Sequence, residues 1–309
     1  MVLLRWGRSA YESEESLALE ARLLEGITVR RHEGDDPDLR GVEVLATTSK
    51  VQVDEEHLAS PELKLVVTTT NGYDHIDLVA AQRHKVLVAR CPMGRRDAVV
   101  EASLSMGIAL LRQQPVFQRD AEQGCWTRDQ LIPRSLALVR GAMVGVVGHG
   151  VIGQRAAQVW RALGARVWVT DPRMPSSPSF EELVGHCRVI ALHCSLNDHN
   201  IGLVSAEVLA RMAPGTVLLN TARGRLVDVD ALLQHTHVRA GLDVFPDEPW
   251  RHLRELAARP NTLLTPHAAG YHDDLGQAVA LELTEAVLAY RAGGNPTHVV
   301  TTPEPAARQ

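Results

Sequence analysis

The chain has 309 residues, of which 45% are hydrophobic, and its formal net charge is −5 at pH 7. A chain of this length is long enough for two domains of ordinary size, each with a buried core. The acidic balance argues against a nucleic acid or an anionic membrane surface as the main partner.

Signals for export or membrane insertion are weak in this sequence. The apolar run at the N-terminus is too short for the core of a signal peptide, and no stretch reaches the length of a membrane span. The four cysteines, Cys91, Cys125, Cys187 and Cys194, are spread through the chain, unlike the dense disulfide framework of a small secreted domain. We expect a cytoplasmic protein with reduced thiols.

Short apolar runs alternate with helical patterns in the first part of the chain, which is typical of an α/β fold with a parallel sheet. Five runs predict strands, in the order VLLRW, ITVRR, VEVLATT, LKLVVTTT and KVLVAR. A helical pattern covers Ser13–Leu24 between the first two of them. After a break at Cys91 and Pro92, a longer pattern predicts a helix over Asp97–Leu111.

A second series of strands begins near residue 143. Its six apolar runs are MVGVVG, RVWVTD, RVIALHC, TVLLNTA, RAGLDVF and TLLTPH, with helical stretches between them. Six strands in this alternation fit a doubly wound nucleotide-binding sheet. One more helix is predicted over Leu275–Tyr290.

A glycine-rich turn stands between the first strand of the second series and the helix that follows. The segment GHGVIG matches G-x-G-x-x-G with Gly148, Gly150 and Gly153, and a helix is predicted over Gly153–Leu163. In this pattern the first glycine makes the tight turn and the second lets the backbone approach a pyrophosphate. The third lets the helix pack close to the sheet. The helix N-terminus then favours phosphates, so the pattern predicts a dinucleotide site.

The next predicted strand ends in an acid, Asp171, 18 residues after Gly153. A carboxylate there can accept hydrogen bonds from the hydroxyls of an adenosine ribose and repels a 2′-phosphate, which favours NAD over NADP. Arg173 is the counter-argument, because an arginine at this place could accept a 2′-phosphate. The alternative for Arg173 is an ordinary surface arginine.

Three polar side chains follow later strands of the second series: Arg223 in NTARGRLVD, Glu248 in GLDVFPDEP and His267 in TPHAAG. Ligands of an open α/β sheet bind beyond the carboxyl ends of its strands, so these side chains could converge near a bound cofactor. An arginine fork can hold the carboxylate of a 2-keto acid, and a histidine can give a proton to the keto oxygen. A glutamate beside the histidine orients the ring and favours its protonated form.

Each of these three residues has a structural alternative. Arg223 could cap a loop or pair with Asp228, Glu248 could belong to a plain acidic turn, and His267 could be a core histidine bonded to the backbone. Their joint occurrence, in this order after a dinucleotide turn, favours the catalytic interpretation.

Six stretches carry a resemblance to a known family: TTTNGYDHIDL, DAVVEASLSMGIALLR, GVVGHGVIG, NTARGRLVD, LDVFPDEP and LLTPHAAG. The chain resembles the D-isomer-specific 2-hydroxyacid dehydrogenases, which include D-lactate, glyoxylate/hydroxypyruvate and D-3-phosphoglycerate dehydrogenases. The resemblance implies Arg223 as the arginine for the substrate carboxylate, His267 as the proton donor and Glu248 as its partner. It also implies that the backbone of Asn71 and Gly72 clamps the substrate carboxylate, where the alternative is a simple Asn-Gly turn with positive φ.

The resemblance also implies cofactor contacts beyond the three glycines and Asp171. Some of these contacts lie at the start of the helix after the glycine turn, after the third strand of the second series, and just before Arg223. The others lie near the carboxamide of the nicotinamide and beside the nicotinamide ring. The residues are Val151, Ile152, His193, Cys194, Thr221, Ala222, Asp243, Ala269 and Gly270. Ser195 stands where the family usually has a proline, a departure near the adenine ribose that touches no catalytic atom.

The implied architecture is α/β, with a Rossmann-type doubly wound parallel sheet in the cofactor domain and a flavodoxin-like α/β substrate domain. The substrate domain is discontinuous and comprises residues 1–91 and 275–309. The NAD-binding domain comprises residues 92–274. The resemblance further implies a homodimer that forms through the cofactor domain.

Four potential metal ligands lie close together in the segment HCRVIALHC, namely His186, Cys187, His193 and Cys194. The run between the two pairs is a single predicted strand. A strand holds its two ends too far apart to close on one ion, so we expect no metal and assign the thiols to a buried strand.

Basic side chains leave open whether the substrate carries a phosphate. The resemblance puts Lys50 in a loop near the substrate pocket and Arg128 where the basic residue of a partner subunit can reach in. Arg95 and Arg96 are further candidates. Such side chains could together bind a phosphate, and the alternative is solvated surface charge.

The sequence thus predicts an NAD-dependent oxidoreductase that interconverts a D-2-hydroxy acid and its 2-keto acid by hydride transfer. Within the enzyme class, the alternatives are a glyoxylate/hydroxypyruvate reductase and a D-3-phosphoglycerate dehydrogenase. From another class, a non-enzymatic NAD-sensing protein similar to some corepressors would share the fold. The complete set of arginine, glutamate and histidine favours the enzyme, since a pure binding module does not need it.

Overall fold

A computed structural model describes residues 1–131 and 135–300 of the chain. The chain divides into two compact units: unit 1 comprises Met1–Arg95 and the segment from Tyr271 onward, and unit 2 comprises Arg96–Gly270. The predicted junctions, after residues 91 and 274, lie four residues away from these. The first turn of the helix that begins at Met93 stays with unit 1, because the Glu282 carboxylate accepts hydrogen bonds from its N–H groups.

Unit 1 is built on a five-stranded parallel sheet. Its strands are β1 (Val2–Trp6), β2 (Thr28–His32), β3 (Val44–Thr47), β4 (Leu65–Thr68) and β5 (Leu87–Arg90). They lie in the order β2-β1-β3-β4-β5, so the switch point of the sheet is between β1 and β3. Each strand lies within a predicted apolar run or extends one residue beyond it.

Unit 2 is built on a six-stranded parallel sheet. Its strands are β6 (Met143–Val147), β7 (Arg166–Thr170), β8 (Val189–Leu192), β9 (Val217–Asn220), β10 (Arg239–Leu242) and β11 (Thr262–Leu264). The order is β11-β10-β9-β8-β6-β7, with the switch point between β6 and β8. Counted from β6, this is 2-1-3-4-5-6. A full Rossmann sheet has the order 3-2-1-4-5-6, with one more strand beyond strand 2. In this chain the short stretch after β7 forms turns in place of that strand.

Helices connect the strands of both sheets. In chain order they are α1 (Glu14–Leu23), α2 (Glu55–Leu58), α3 (Leu78–Arg83), α4 (Met93–Leu111), α5 (Gln114–Glu122), α6 (Val151–Ala162), α7 (Phe180–His186), α8 (Ala206–Arg211), α9 (Val229–Gln234), α10 (Leu253–Ala258) and α11 (Leu275–Arg291). Helix α4 begins four residues before its predicted start at Asp97. The apolar periodicity does not show this first turn, because a carboxylate distant in sequence stabilises it.

The central strands form the core of each unit. Every residue of β3, β4, β8 and β9 is buried, as expected for parallel strands that are covered on both faces. Trp6 in unit 1 and Trp160 in unit 2 are among the largest fully buried side chains. The fold confirms the predicted class of two parallel-sheet α/β units. None of the helices among the described residues is long and apolar enough to cross a membrane.

Candidate active site

The glycine turn leads from β6 into α6 at the switch point of unit 2. Gly148 has a φ of +99°, and a Cβ there would lie 2.8 Å from the backbone of Cys194. A Cβ at Gly153 would lie 2.0 Å from the Gly148 oxygen, whereas nothing lies within 4 Å of the Cβ position at Gly150. Packing therefore requires the first and third glycines, and the second faces open space that a ligand can enter.

The N-terminus of α6 has no side-chain cap. Gly150 is the N-cap residue, and Val151 and Ile152 are the first two helical residues. The first N–H groups of a helix need acceptors, and no side chain supplies one here. Phosphate oxygens fit this place, because free N–H groups and the helix dipole both favour an anion.

Asp171 follows β7 and is 6% exposed. Its Oδ2 accepts a hydrogen bond from the His149 N–H at 2.6 Å, which ties it to the glycine turn. Arg173 donates from its backbone N–H and Nε to Oδ1, and from Nη2 to Oδ2. The Arg173 guanidinium holds the pKa of Asp171 well below its usual range. Arg173 is exposed, as the surface interpretation expects, but it pairs with Asp171, a contact that the sequence analysis missed.

Buried polar atoms without a protein partner follow β6, β8 and β9. In the described part of the chain they include Nδ1 of His149, Nε2 of His193 and Oγ1 of Thr221. Burial lowers the pKa of His193 to about 4 and raises the pKa of Cys194 to about 11, so both side chains are neutral at pH 7. Since buried polar atoms are rarely left unpaired, these atoms fit the polar groups of a bound dinucleotide.

His267 and Glu248 form a hydrogen-bonded pair. His267 Nδ1 lies 2.7 Å from Glu248 Oε2, and the Phe245 N–H donates to Glu248 Oε1 at 3.1 Å. The two side chains are 57% and 39% exposed, so a ligand can reach them. Because the carboxylate keeps a proton on Nδ1, the other ring nitrogen, Nε2, is the atom that can exchange a proton with a ligand.

Asp243 holds the loop that carries His267. Its carboxylate is buried and accepts from the N–H groups of Ala268 and Ala269, at 2.8 and 3.0 Å, and from the Thr265 hydroxyl. Its backbone oxygen accepts from the His267 N–H at 2.7 Å. His267 has a φ of +54°, in the left-handed region, and these bonds hold it there. The structure therefore gives Asp243 a positioning role that the resemblance did not imply.

Arg223 follows β9 in an extended conformation and is half-buried. The Asn220 amide bridges this segment, since it accepts from the Ala222 N–H and donates to the Arg223 oxygen. A Cβ at Gly224 would lie 1.9 Å from the backbone of Phe245, so the turn after the arginine requires glycine. The segment is therefore held in one conformation by its own amide and by close packing.

The strand order brings the three catalytic candidates to one edge of the sheet in unit 2. Arg223, Glu248 and His267 follow β9, β10 and β11, which are adjacent and parallel. The carboxyl ends of parallel strands lie at the same edge, which is also the edge of the glycine turn. Asp228, the alternative partner of Arg223, caps α9 by accepting from the Ala231 N–H at 2.8 Å.

In unit 1, the loop after β4 carries Asn71 and Gly72. Arg90 Nη1 donates to Asn71 Oδ1 at 2.8 Å, and the Thr70 hydroxyl donates to the Gly72 oxygen at 2.7 Å. Neither Asn71 nor Gly72 has a positive φ, so the alternative of a left-handed Asn-Gly turn is wrong. The sequence analysis missed Arg90. Arg90 comes beside this loop because β5 pairs with β4, with Arg90 opposite Thr68.

The remaining polar candidates are Lys50, Arg128 and the potential metal ligands. Lys50 is exposed in unit 1, with Nζ 3.4 Å from the Arg8 oxygen, and Arg128 is exposed in unit 2. Cys187 is buried in the core of unit 2. Within the two described ranges, no group of three or more His, Cys, Asp or Glu side chains is placed to hold a metal ion.

Comparison with known proteins identifies the family of unit 2. Residues 104–269, more than half of the chain, match the family model of the D-isomer specific 2-hydroxyacid dehydrogenase, NAD binding domain. The matched segment contains the glycine turn, Asp171 and the three catalytic candidates.

Individual relatives extend the similarity over most of the chain. D-3-phosphoglycerate dehydrogenase of Mycobacterium tuberculosis is 33% identical over 294 residues, 88% of this chain and 54% of that protein. Glyoxylate reductase of Thermococcus litoralis is 28% identical, over 85% of this chain and 84% of that protein. The structure of D-lactate dehydrogenase from Aquifex aeolicus with NAD and lactic acid gives a TM-score of 0.80 at 26% identity, covering 98% of this chain and 100% of that chain. The chain spans about half the length of the mycobacterial D-3-phosphoglycerate dehydrogenases that it matches.

The local geometry agrees with these matches. The space in front of Gly150, the uncapped helix and the unpaired polar atoms suit NAD, and they lie in the segment that matches an NAD-binding domain. NAD is accordingly the cofactor of this chain. From the family model, the fold and the residues at the strand ends we conclude that the chain belongs to the D-isomer specific 2-hydroxyacid dehydrogenase family.

Proposed function

We propose that this chain interconverts a D-2-hydroxy acid and its 2-keto acid, with unit 2 as the NAD-binding domain and unit 1 as the substrate domain. The observation that carries the proposal is the hydrogen bond between His267 and Glu248, at the sheet edge that also carries the glycine turn. A protein that only senses NAD needs the glycine turn, but it has no use for a histidine poised for proton transfer.

The proposed chemistry divides between the cofactor and the chain. Bound NADH supplies a hydride to the carbonyl carbon of the 2-keto acid. His267 donates a proton from Nε2 to the keto oxygen and takes it back in the oxidative direction. Glu248 keeps the ring oriented and stabilises the protonated imidazole, as the acid of a catalytic triad does.

Substrate binding falls to an arginine and to backbone groups. The half-buried Arg223 guanidinium supplies donors for the substrate carboxylate and polarises the carbonyl. In unit 1, the N–H groups of Asn71 and Gly72 bind a carboxylate of the substrate. Arg90 and Thr70 hold this loop in one conformation, which lowers the entropy lost on binding.

A panel of 2-keto acids tests the proposed activity. We would follow NADH oxidation with glyoxylate, hydroxypyruvate, pyruvate, an aromatic 2-keto acid and 3-phosphohydroxypyruvate, with NADPH in parallel. Turnover of a 2-keto acid with NADH is expected. A strong preference for 3-phosphohydroxypyruvate would identify the D-3-phosphoglycerate dehydrogenase alternative. Bound NADH without turnover of any acid would favour the sensing protein.

Two variants assign the roles of the candidates. His267→Ala is expected to lower kcat about a thousandfold while NADH still binds, because proton transfer is lost. Arg223→Ala is expected to lower kcat/KM about 100-fold, since a hydrogen bond to a charged group is lost. His252→Ala is the matched control. His252 also lies beside a glutamate of unit 2, Glu255, but it stands at the start of α10 and has no proposed catalytic role. An unchanged kcat in His267→Ala would contradict the proposed role.

We further propose a cytoplasmic homodimer that forms through unit 2. All four cysteines are free, which fits a reducing compartment. Trp126 and Leu138 are 87% and 60% exposed, and such apolar surface is typical of an interface. Light scattering on the purified protein is expected to give twice the chain mass, and Trp126→Ser is expected to weaken the dimer. A wild-type monomer would refute this part of the proposal.

A further inference from the structure

We propose that Arg95 is a specificity-determining residue that binds a second anionic group on the substrate, so that the preferred substrates are 2-keto acids with two anionic ends. This inference rests on the proposed function. It concerns a cluster in unit 1 of which only Thr69 lies in one of the family motifs. We call the cluster the Arg95 subsite and define it as Tyr11, Thr69, Arg95 and Tyr271.

The guanidinium of Arg95 is held in a fixed place. Its Cζ lies 4.6 Å from the centroid of the Tyr11 ring, and its Nη1 donates to the Thr69 oxygen at 2.8 Å. The Tyr11 hydroxyl donates to Thr69 Oγ1 at 3.1 Å, and the Tyr271 ring packs edge-on against Tyr11 at 6.1 Å. An arginine ordered in this way has little conformational entropy left to lose when it binds a ligand.

The subsite lies at the sheet edge where unit 1 would bind substrate. Tyr11 is in the loop after β1, Thr69 directly follows β4, and Arg95 is in the first turn of the helix after β5. Because the strands are parallel, all three residues lie at their carboxyl ends. Thr69 precedes Asn71 by two residues, so the Arg95 guanidinium is within about 10 Å of the proposed clamp for the 2-keto acid carboxylate. This distance suits a substrate of four or five carbons.

The charge of Arg95 remains available for an anion. Nη1 uses one of five guanidinium N–H groups on Thr69, and the planar fork binds carboxylates and phosphates in pairs of hydrogen bonds. Glu282 interacts electrostatically with Arg95, but its carboxylate is buried and already accepts from the N–H groups of Met93 and Gly94. Arg8 and Lys50, in neighbouring loops of the same edge, add positive charge.

The chemistry of this subsite discriminates among 2-keto acids. A monoanionic acid such as pyruvate or glyoxylate would leave the guanidinium without a partner and gain nothing from it. A distal carboxylate or phosphate would form charge-assisted hydrogen bonds beside an aromatic ring that excludes part of the water. The shared requirement is a second anionic group, and the experiment distinguishes its two sources.

The test compares two classes of substrate in matched arginine variants. The dianionic acids are oxaloacetate, 2-oxoglutarate and 3-phosphohydroxypyruvate, and the monoanionic acids are pyruvate, hydroxypyruvate and glyoxylate. The variants are Arg95→Gln, Arg95→Lys and the control Arg40→Gln. Arg40 is an exposed arginine of unit 1 that pairs with Asp38 at 2.7 Å. Circular dichroism and Tm show whether each variant is folded, and Tyr11→Leu removes the aromatic support without changing charge.

We expect Arg95→Gln to lower kcat/KM about 30- to 100-fold for dianionic acids, mainly through KM, and at most about threefold for monoanionic acids. Arg95→Lys is expected to retain part of the preference for dianionic acids. Tyr11→Leu is expected to lower kcat/KM about tenfold for dianionic acids only. Arg40→Gln is expected to behave as wild type. The dianionic acid that loses most, carboxylate or phosphate, identifies the source of the second group.

Three results would overturn the inference. An equal loss for both substrate classes in Arg95→Gln would show a structural role. A wild-type enzyme that reduces monoanionic acids but prefers none of the dianionic ones would leave the proposed function intact and remove the role of Arg95. A wild-type protein that binds NADH and reduces no acid of either class would refute the proposed function, and this inference with it.

Discussion

Unit 1 and unit 2 share a plan but differ at their switch points. In both sheets the strand order begins 2-1-3-4-5, and the first strand leads into a helix. In unit 2, residues 148–150 are the whole connection between β6 and α6, and the helix begins without a side-chain cap. In unit 1, the connection between β1 and α1 comprises residues 7–13, and Ser13 caps the helix by accepting from the Ser16 N–H.

Charged side chains fill the space beside the first strand in unit 1. Arg5 on β1 bonds to Glu12 in the connecting loop and lies 3.4 Å from Glu20 on α1, and all three are buried. Burial raises the pKa of Glu20, against the opposing charge of Arg5. At its switch point, unit 2 instead leaves the first N–H groups of α6 without a side-chain cap. The two units share a strand order, so strand order alone does not create a dinucleotide site. The feature that distinguishes unit 2 is the short glycine turn with an uncapped helix N-terminus.

The largest expected effect comes from closing the turn in unit 2. In Gly153→Ala the new Cβ would meet the Gly148 oxygen at 2.0 Å, so the turn must distort, and we expect NADH affinity to fall about 100-fold. Gly185→Ala on α7 is the matched control, because nothing lies within 4 Å of that Cβ position. Fluorescence titration with NADH measures both variants. If Gly153→Ala binds NADH as wild type does, the turn is not the cofactor site.

The half-buried His193 at the same switch point, whose Nε2 is shielded from solvent, predicts a pH dependence of stability. Burial lowers the pKa of His193 to about 4, below its ordinary value of 6.5, so between these values the unfolded chain binds a proton that the folded chain does not. The free energy of unfolding therefore falls as the pH drops from 6.5 towards 4, by about 2 kcal/mol at pH 4.5. Urea unfolding at pH 7.5 and 4.5 measures this fall.

Two variants isolate the contribution of His193. His193→Gln is expected to make the loss of stability at pH 4.5 smaller by that amount, whereas His199→Gln, at an exposed position, is expected to leave it unchanged. Equal losses in wild type and His193→Gln would mean that the ring is not buried in its neutral form.

A smaller effect is expected where Arg173 meets Asp171. Four donors from His149 and Arg173 occupy the Asp171 carboxylate, so a ribose hydroxyl must displace the arginine side chain. The Arg173 side chain is exposed and therefore easily displaced, so we expect Arg173→Ala to lower KM for NADH only about threefold and to weaken NADPH binding. Asp171→Asn is expected to raise KM for NADH about tenfold. Steady-state kinetics with NADH and NADPH measures both variants. A lower KM for NADPH in Arg173→Ala would contradict the role proposed for Arg173.

The smallest effect is expected in unit 1. Ser13→Ala removes the cap of α1 and should lower the free energy of unfolding by about 1 kcal/mol. Because this helix end binds no cofactor in our interpretation, KM for NADH should stay as in wild type. Thermal unfolding and steady-state kinetics measure the two quantities. A change in KM for NADH without a change in Tm would contradict this prediction, because it would indicate that the N-terminus of α1 also takes part in cofactor binding.

Strands, helices and the glycine turn could be predicted because each depends on neighbours along the chain. Apolar runs located the eleven strands of residues 1–131 and 135–300. The signal is clearest for the central strands, because a parallel strand covered on both faces must be apolar throughout. The spacing of Gly148, Gly150 and Gly153 indicated the turn, because each glycine answers a local demand of backbone geometry.

Contacts between distant segments could not be predicted in this way. The start of α4 depends on Glu282, which lies 189 residues away along the chain. The conformation of the loop at Asn71 depends on Arg90, and the loop of His267 depends on the carboxylate of Asp243. No local pattern indicates such partners, since a hydrogen bond between distant residues leaves no periodicity in either segment.

The amino-acid order was therefore enough to indicate the α/β class, the dinucleotide turn and the residue types for acid–base chemistry. Those features follow from burial and backbone geometry over a few residues. Only the packing of the chain decided which groups hold His267 in a left-handed conformation. Packing also decided which arginine pairs with Asp171 and which one lies over Tyr11. The physical reason is that a polar side chain in a fold bonds to whatever partner packing brings within about 3 Å.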